Sequence, residues 1–254
     1  MNNNYPLYSS LARYVFTYPK YFKDSILPTL ISEPEYWNKV EESFKRFLRK
    51  MWSPERPPQV TDGSFFLAVD LEKLLGMNLS QARYLQTYDA IELRLDFFIE
   101  RRKDLPYAEI LEKLRDAISF VNLLVKVPLI MTIRTKPEGG AFTLGREVYN
   151  KFYKDLSKDL FFTYFDLEYC EKNLQFIDYF ASKIRGNSYI ILSKHYFDYK
   201  NDKEILKELD AMTSVTACDI YKVVLNEEND INILNQVRIT KPLIKLKLGA
   251  KGNS

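Results

Sequence analysis

The stretch YAEILEKLRDAISFVNLLVKVPLIMTIRT, residues 107–135, sets the pattern of the whole chain. Its first part carries apolar side chains at helical spacing, and an apolar run rich in branched residues follows it. We therefore predict a helix over 107–124 and a strand over 128–135. The apolar positions of the helix are Ile110, Leu111, Leu114, Ile118 and Val121.

The same alternation runs from residue 64 to the C-terminus. Further strand-like runs are SFFLAV (64–69), AIELRLDFF (90–98), FFTYFDLEY (161–169), SYIILSKH (188–195), CDIYKVVL (218–225) and PLIKLKLG (242–249). The strand starts lie 24 to 38 residues apart, which is the length of one βα unit. We predict an α/β fold, a (β/α) TIM-type barrel with about seven βα units visible and the eighth missing. A doubly wound open sheet is the alternative, but the glycine-rich turn that usually follows its first strand is absent.

Residues 1–60 have a different character. A helical segment, EPEYWNKVEESFKRFLRKM, is followed by the proline-rich SPERPPQ, which ends the helix. We predict a helical N-terminal extension or linker over 1–60 and the barrel over 61–254.

Composition excludes several classes of function. The 254 residues, 46% of them hydrophobic, are enough for a substantial core. The 37 basic and 34 acidic residues are interspersed, which argues against a nucleic-acid partner. The two cysteines lie far apart and the chain has one histidine, so we predict a cytoplasmic protein without a metal site. The most apolar stretch, VNLLVKVPLIM, is about half the length of a membrane span, and no secretory signal is visible.

Lys222 lies in the apolar strand CDIYKVV, where it shares a face with Ile220 and Val224. Burial is expected to depress the pKa of such a lysine and to keep some of it as the free amine, which attacks carbonyl groups. A lysine that extends to solvent is the alternative. His195, the single histidine, ends the preceding strand, so it lies within reach of Lys222 as a candidate acid or base.

Other polar residues fall at strand ends. Arg134 and Glu138 lie in IRTKPEGG, and Glu138 is placed to hydrogen-bond the histidine and fix its tautomer. Glu92, Arg94 and Asp96 alternate in ELRLD, which suits the binding of hydroxyl and anionic groups. Each has an alternative as a solvated ion pair, but all converge on one barrel face.

These motifs resemble one family, the type I 3-dehydroquinate dehydratases. The matching pieces, in the family's order, are IELRLD (91–96), MTIRTKPEGG (131–140), YFDLEY (164–169), IILSKHYF (190–197), TACDIYKVV (216–224) and PLIKLKLGAKGNS (242–254). The segment before residue 64 resembles more weakly the fungal versions, namely the AROM polypeptide and the quinate repressors.

The resemblance implies that the chain converts 3-dehydroquinate to 3-dehydroshikimate, in the shikimate or quinate pathway, without a cofactor. It implies that Lys222 forms the Schiff base with the substrate ketone. It also implies that His195 removes the C2 proton and assists the loss of the hydroxyl. Glu138 would then partner His195. Glu92, Arg94 and Arg134 would hold the substrate. Expected partners are that substrate and a second copy of the chain or neighbouring AROM-type domains, with no nucleic acid or membrane.

The sequence departs from the family at its end. The family's arginine for the substrate carboxylate has no counterpart before Ser254, and the seventh strand carries Lys245 and Lys247. Two expectations follow: a C-terminal truncation, or a catalytically impaired regulatory or scaffold domain that keeps the fold. Another Schiff-base barrel, such as a class I aldolase, is disfavoured by the EGG and SKH motifs.

Overall fold

The computed structural model describes residues 14–19, 32–52, 64–77, 79–159, 161–184, 186–197, 201–215, 217–225 and 244–248, the last of these as backbone. The strands are β1 (Phe66–Asp70), β2 (Ala90–Arg94), β3 (Leu129–Thr132), β4 (Tyr164–Glu168), β5 (Tyr189–His195), β6 (Ile220–Leu225) and β7 (Ile244–Leu248). The helices are α1 (Glu33–Trp52), α2 (Leu71–Leu75), α3 (Leu79–Tyr84), α4 (Asp96–Glu100), α5 (Tyr107–Leu124), α6 (Arg146–Leu156), α7 (Leu174–Ile184) and α8 (Asp202–Thr213).

The strands form one parallel sheet in the order β1-β2-β3-β4-β5-β6-β7. A doubly wound sheet would reverse its order part-way, so the sequential order supports the predicted barrel class. The curl of the sheet supports it too. Lys222 on β6 contacts Glu92 on β2 at 2.8 Å, although four strand spacings in a flat sheet would separate them by roughly 19 Å. The barrel-type fold is thus confirmed, and each predicted strand is present.

Alternation along the strands divides the sheet into two faces. One face packs under the helices in the main core, with Ile91, Met131, Phe165, Leu192 and Val223 among its members. The other face lines the interior of the curl, where the residues nearest the amino-terminal ends form a separate apolar cluster. Its buried members are Ala90, Ile130, Tyr164 and Ile191. Polar residues follow toward the carboxyl-terminal ends, so the interior is an apolar floor beneath a polar layer.

One predicted strand is shorter than expected. AIELRLDFF was predicted as a strand over 90–98, but β2 ends at Arg94 and Asp96 begins α4. Leu95 between them has helical backbone angles. The fully buried Asp96 carboxylate accepts two hydrogen bonds from the Arg94 guanidinium, which holds the turn in place. The prediction that Asp96 shares a strand face with Glu92 and Arg94 was therefore wrong.

The helix predicted within residues 1–60 packs against the barrel. Tyr36 and Val40 on α1 form a buried cluster with Phe120 and Leu123 on α5. Arg46 donates to the Asn122 carbonyl oxygen at 2.7 Å, which adds a polar contact to the apolar ones. None of the described helices has the length and apolar character needed to cross a membrane.

We expect Tyr36→Ala to lower the free energy of unfolding by about 3 kcal/mol or more, because it removes a fully buried ring from this cluster. Trp52→Ala at the end of the same helix, where the side chain is 74% exposed, is the matched control and should cost less than about 1 kcal/mol. Urea unfolding of both variants measures the difference. Equal and small effects would show that α1 contributes nothing to the stability of the barrel.

Candidate active site

A buried carboxylate, Asp166 on β4, lies at the centre of the polar layer. Its Oδ1 accepts a hydrogen bond from Arg134 Nη2 at 2.9 Å and another from the Ser193 hydroxyl. Its Oδ2 accepts one from Lys222 Nζ at 3.0 Å. Asp166, Arg134 and Ser193 are almost completely buried. The buried cations outweigh the burial that opposes ionisation, so the pKa of Asp166 lies well below its usual range.

Lys222 Nζ is held between two carboxylates. It donates to Glu92 Oε2 at 2.8 Å as well as to Asp166 Oδ2. Burial alone would lower the pKa of Lys222, but the two carboxylates outweigh it and raise the pKa above its ordinary value. The prediction of a depressed lysine pKa was therefore wrong, because sequence did not reveal which charges would surround the amine. In the resting protein Lys222 is an ammonium ion.

His195 and Glu138 form a second polar pair, as predicted. The Glu138 Oε2 atom lies 3.2 Å from His195 Nδ1 and also accepts the His195 backbone N–H at 2.7 Å. Burial lowers the pKa of His195 below its ordinary value, while the bond to Glu138 opposes that effect. The neutral ring, with its Nδ1 proton directed to the carboxylate, keeps a basic lone pair on Nε2.

The glycines of EGG allow the turn after β3 to approach its neighbours closely. Gly139 has a φ of 78°, in the left-handed region, and a Cβ there would overlap the Phe197 ring. A Cβ on Gly140 would overlap the carbonyl oxygen of Arg134. Phe197 is stacked beside His195, with ring centroids 6.2 Å apart. The two glycines thus let the turn that carries Glu138 pack closely against Phe197 and against the backbone of Arg134.

Arg94 stands apart from these two groups. Its guanidinium donates two hydrogen bonds to Asp96, at 2.8 Å from Nε to Oδ1 and at 2.8 Å from Nη2 to Oδ2. Asp96 Oδ2 also accepts the Ala141 backbone N–H, so this pair connects the end of β2 to the glycine turn. The structure therefore connects Glu92 through Lys222 to Asp166, which also binds Arg134. It pairs Glu138 with His195, and it pairs Arg94 with Asp96.

Three residues of the site were not singled out from the sequence. Asp166 and Ser193 were detectable, because a polar residue on the same strand face as other polar residues stands out in the apolar runs YFDLE and IILSKH. Lys194 was not. Its Nζ lies 3.0 Å from Glu138 Oε1, so one carboxylate serves both Lys194 and His195. Strand alternation predicts opposite faces for adjacent residues, which argued against this arrangement.

One protein-family model matches most of the chain. A family model described as type I 3-dehydroquinase matches residues 66–253. The chain belongs to the type I 3-dehydroquinase family. The matched segment includes β1 to β7 and every candidate residue described above.

Individual relatives agree with the family. A 3-dehydroquinate dehydratase from Listeria monocytogenes serotype 4b (strain F2365) is 26% identical over 184 residues, which is 68% of this chain and 70% of the relative. A type I 3-dehydroquinate dehydratase from Clostridium difficile, solved with covalently modified comenic acid, has a TM-score of 0.58 at 19% identity and covers 72% of this chain and 73% of its own. A structure of dehydroquinate dehydratase and shikimate dehydrogenase from S. pombe AroM has a TM-score of 0.55 at 18% identity, and covers 80% of this chain and 38% of its own.

We expect Asp166→Asn to lower the free energy of unfolding by about 3–5 kcal/mol, because it leaves Arg134 and Lys222 with one buried carboxylate fewer. The folded-state pKa of Asp166 is depressed, so this stabilisation is present above the unfolded-state pKa of about 4 and is lost as the pH falls toward the folded-state value.

Urea unfolding at pH 7 and at about pH 2 measures this loss. Asp178→Asn, on the exposed side of α7, is the control and should change stability by less than about 0.5 kcal/mol. If Asp166→Asn were as stable as the parent chain at pH 7, the interior cations would not depend on this carboxylate.

Proposed function

We propose that this chain dehydrates 3-dehydroquinate to 3-dehydroshikimate through a Schiff base on Lys222, with His195 as the general acid and base. Membership of the family makes it a lyase, a 3-dehydroquinate dehydratase of the shikimate pathway that takes a small-molecule substrate. The observation that supports the residue roles is the placement of the Lys222 amine and the oriented His195 ring on neighbouring strands, at the polar end of the interior.

The proposed reaction has three steps. The Lys222 amine adds to the substrate ketone and the carbinolamine loses water, which gives an iminium ion. The neutral Nε2 of His195 then takes the proton from C2, and the same imidazolium returns it to the departing hydroxyl, which leaves as water. Hydrolysis of the imine releases the product and restores the amine.

The first step requires Lys222 to lose its proton. The nearest acceptors are the carboxylates of Glu92 and Asp166, at 2.8 Å and 3.0 Å from Nζ. In the proposal, one of them takes the proton as the substrate displaces solvent above the amine. Arg134 then supports the substrate indirectly, by holding Asp166, while Arg94 holds the end of β2 and the glycine turn.

A binding domain without turnover is the second candidate. The observation in its favour is that the Arg94 guanidinium is occupied by Asp96 and that the Lys222 amine is stabilised as an ammonium ion. Such a domain would hold the ligand and would not form the imine. Two expectations, a C-terminal truncation and the loss of the arginine for the substrate carboxylate, concern residues 249–254, which lie outside the described residues. The side chains of Lys245 and Lys247 lie outside them too.

The wider context is part of the proposal. We infer a fungal chain of the AROM or quinate-repressor type, with an extension over 1–60, a barrel over 61–254 and a cytoplasmic location. The weak resemblance of the segment before β1 supports this context. The match to S. pombe AroM, which pairs dehydroquinate dehydratase with shikimate dehydrogenase, also favours neighbouring domains. A homodimer is the other partner that the resemblance implies.

Borohydride trapping with 3-dehydroquinate separates the two candidates. We expect reduction to fix the substrate on Lys222 as a secondary amine, seen by intact mass and located by peptide mapping, with no adduct in Lys222→Met. An adduct on Lys194, or none on a folded protein, would reject the Schiff-base role and leave the binding domain.

The pH dependence of kcat/KM tests the role of His195. Activity should fall on the acid side as the ring gains a proton, at a pH below the ordinary histidine value of about 6.5. Glu138→Gln removes the charge that stabilises the imidazolium and should move this acidic limb down by roughly 0.5–1 pH unit. Lys194→Met removes the positive charge beside Glu138, which raises the pKa of His195 and should move the limb up by a similar amount.

Lys207→Met, at an exposed position on α8, is the control for the loss of a lysine charge and should leave the limb in place. Shifts of the same sign in Glu138→Gln and Lys194→Met would contradict the assignment of the acidic limb to His195.

A further inference from the structure

A cavity lies near the amino-terminal ends of β3 and β4, at the opposite end of these strands from the polar layer. It has a volume of about 280 Å³ and is lined by the last turns of α1, the connection from α5 to β3, and residues just before β4. Leu129, the first residue of β3, and Thr163, which precedes β4, form part of its wall. The apolar cluster in the floor of the barrel also lies toward the amino-terminal ends of the strands, below the polar layer.

Four basic residues line this cavity. Arg46, Arg49 and Lys50 line it from α1, where spacings of three and four residues put them on one side of the helix. Lys126 lines it from the connection between α5 and β3. Burial lowers the pKa of Arg46, while the nearby Glu42 raises it and Arg49 lowers it, so the charges around the cavity act on one another.

Two carboxylates of the described residues, Asp159 and Glu42, lie beside this group of cations. Asp159 is the carboxylate in the lining, and it is bound to Arg115 Nε at 3.0 Å outside the cationic group. Lys126 pairs with Glu42 at 3.2 Å, but both side chains are more than half exposed, and such pairs contribute little. A bound anion would reduce the repulsion among the cations.

The lining also includes apolar and aromatic side chains. Phe47, Phe161 and Pro128 line the cavity beside the cations. The volume is near the low end of the range for small-molecule sites, about 300–1,000 Å³, and suits a ligand of one ring. We propose that this cavity binds a small organic anion, with its carboxylate or phosphate group against Arg49 and Lys126 and its ring against Phe47 and Phe161.

Titration calorimetry of the 254-residue chain with phenyl phosphate tests the proposal. We expect saturable binding of one equivalent, at least tenfold tighter than that of inorganic phosphate or phenol, because the cavity offers both a cationic and an apolar wall. Arg49→Gln and Lys126→Gln should each weaken the binding about tenfold, as expected for one lost contact to a charged group. Lys45→Gln, an exposed lysine on the same helix that does not line the cavity, should bind as the parent chain does.

Three results would overturn the proposal. They are the absence of saturable binding, equal affinity in Arg49→Gln and Lys126→Gln, and a loss of binding in Lys222→Met, which would place the probe at the catalytic end. The two glutamine variants lie on opposite walls, on α1 and on the α5–β3 connection, so a folding defect in one leaves the other as a test. A melting curve of each variant identifies such a defect.

Discussion

The carboxylate of Asp166 is the constraint on which the barrel interior depends. It is inaccessible to solvent and binds Arg134 through one oxygen and Lys222 through the other. A cation buried without such a partner would be strongly destabilising, so neither basic residue could occupy the interior alone. Arg134 follows β3, Asp166 lies on β4 and Lys222 lies on β6, where its amine also reaches Glu92 on β2, so the complete network requires the sheet to curl. The charge network and the barrel therefore specify each other.

The same network sets the chemistry of Lys222. Two carboxylates stabilise its ammonium form, which protects the folded protein but opposes nucleophilic attack. The conflict is resolved if the iminium ion takes the place of the ammonium ion, since both carry one positive charge at nearly the same position. Glu92 and Asp166 then stabilise the intermediate with the contacts that held the resting lysine. The unfavourable species is the neutral amine that must form transiently. The adjacent carboxylates are the bases that can accept its proton.

The sequence was sufficient for the elements and insufficient for the contacts between distant strands. Runs such as IILSKH predict a strand with a polar end, and the spacing of such runs predicts the barrel, because both depend on local periodicity. The contact of Lys222 with Glu92 joins residues 130 positions apart and exists only when the sheet curls, so the pKa of Lys222 was predicted with the wrong sign. Asp96 was misplaced for a related reason. Its bidentate bond with Arg94 stabilises a turn that period-two alternation does not reveal.

The arrangement of charges in the interior also limits how the site meets an anionic substrate. Arg134, Lys222 and Arg146 lie against the carboxylates of Glu92, Asp166 and Glu168, so this group of six has no net charge. The buried apolar cluster beneath it excludes water from that side, where an unbalanced charge would be most costly. A substrate carboxylate therefore gains little from the interior and must be held at the rim. Four basic residues, Arg46, Arg49, Lys50 and Lys126, instead line a cavity near the amino-terminal ends of β3 and β4.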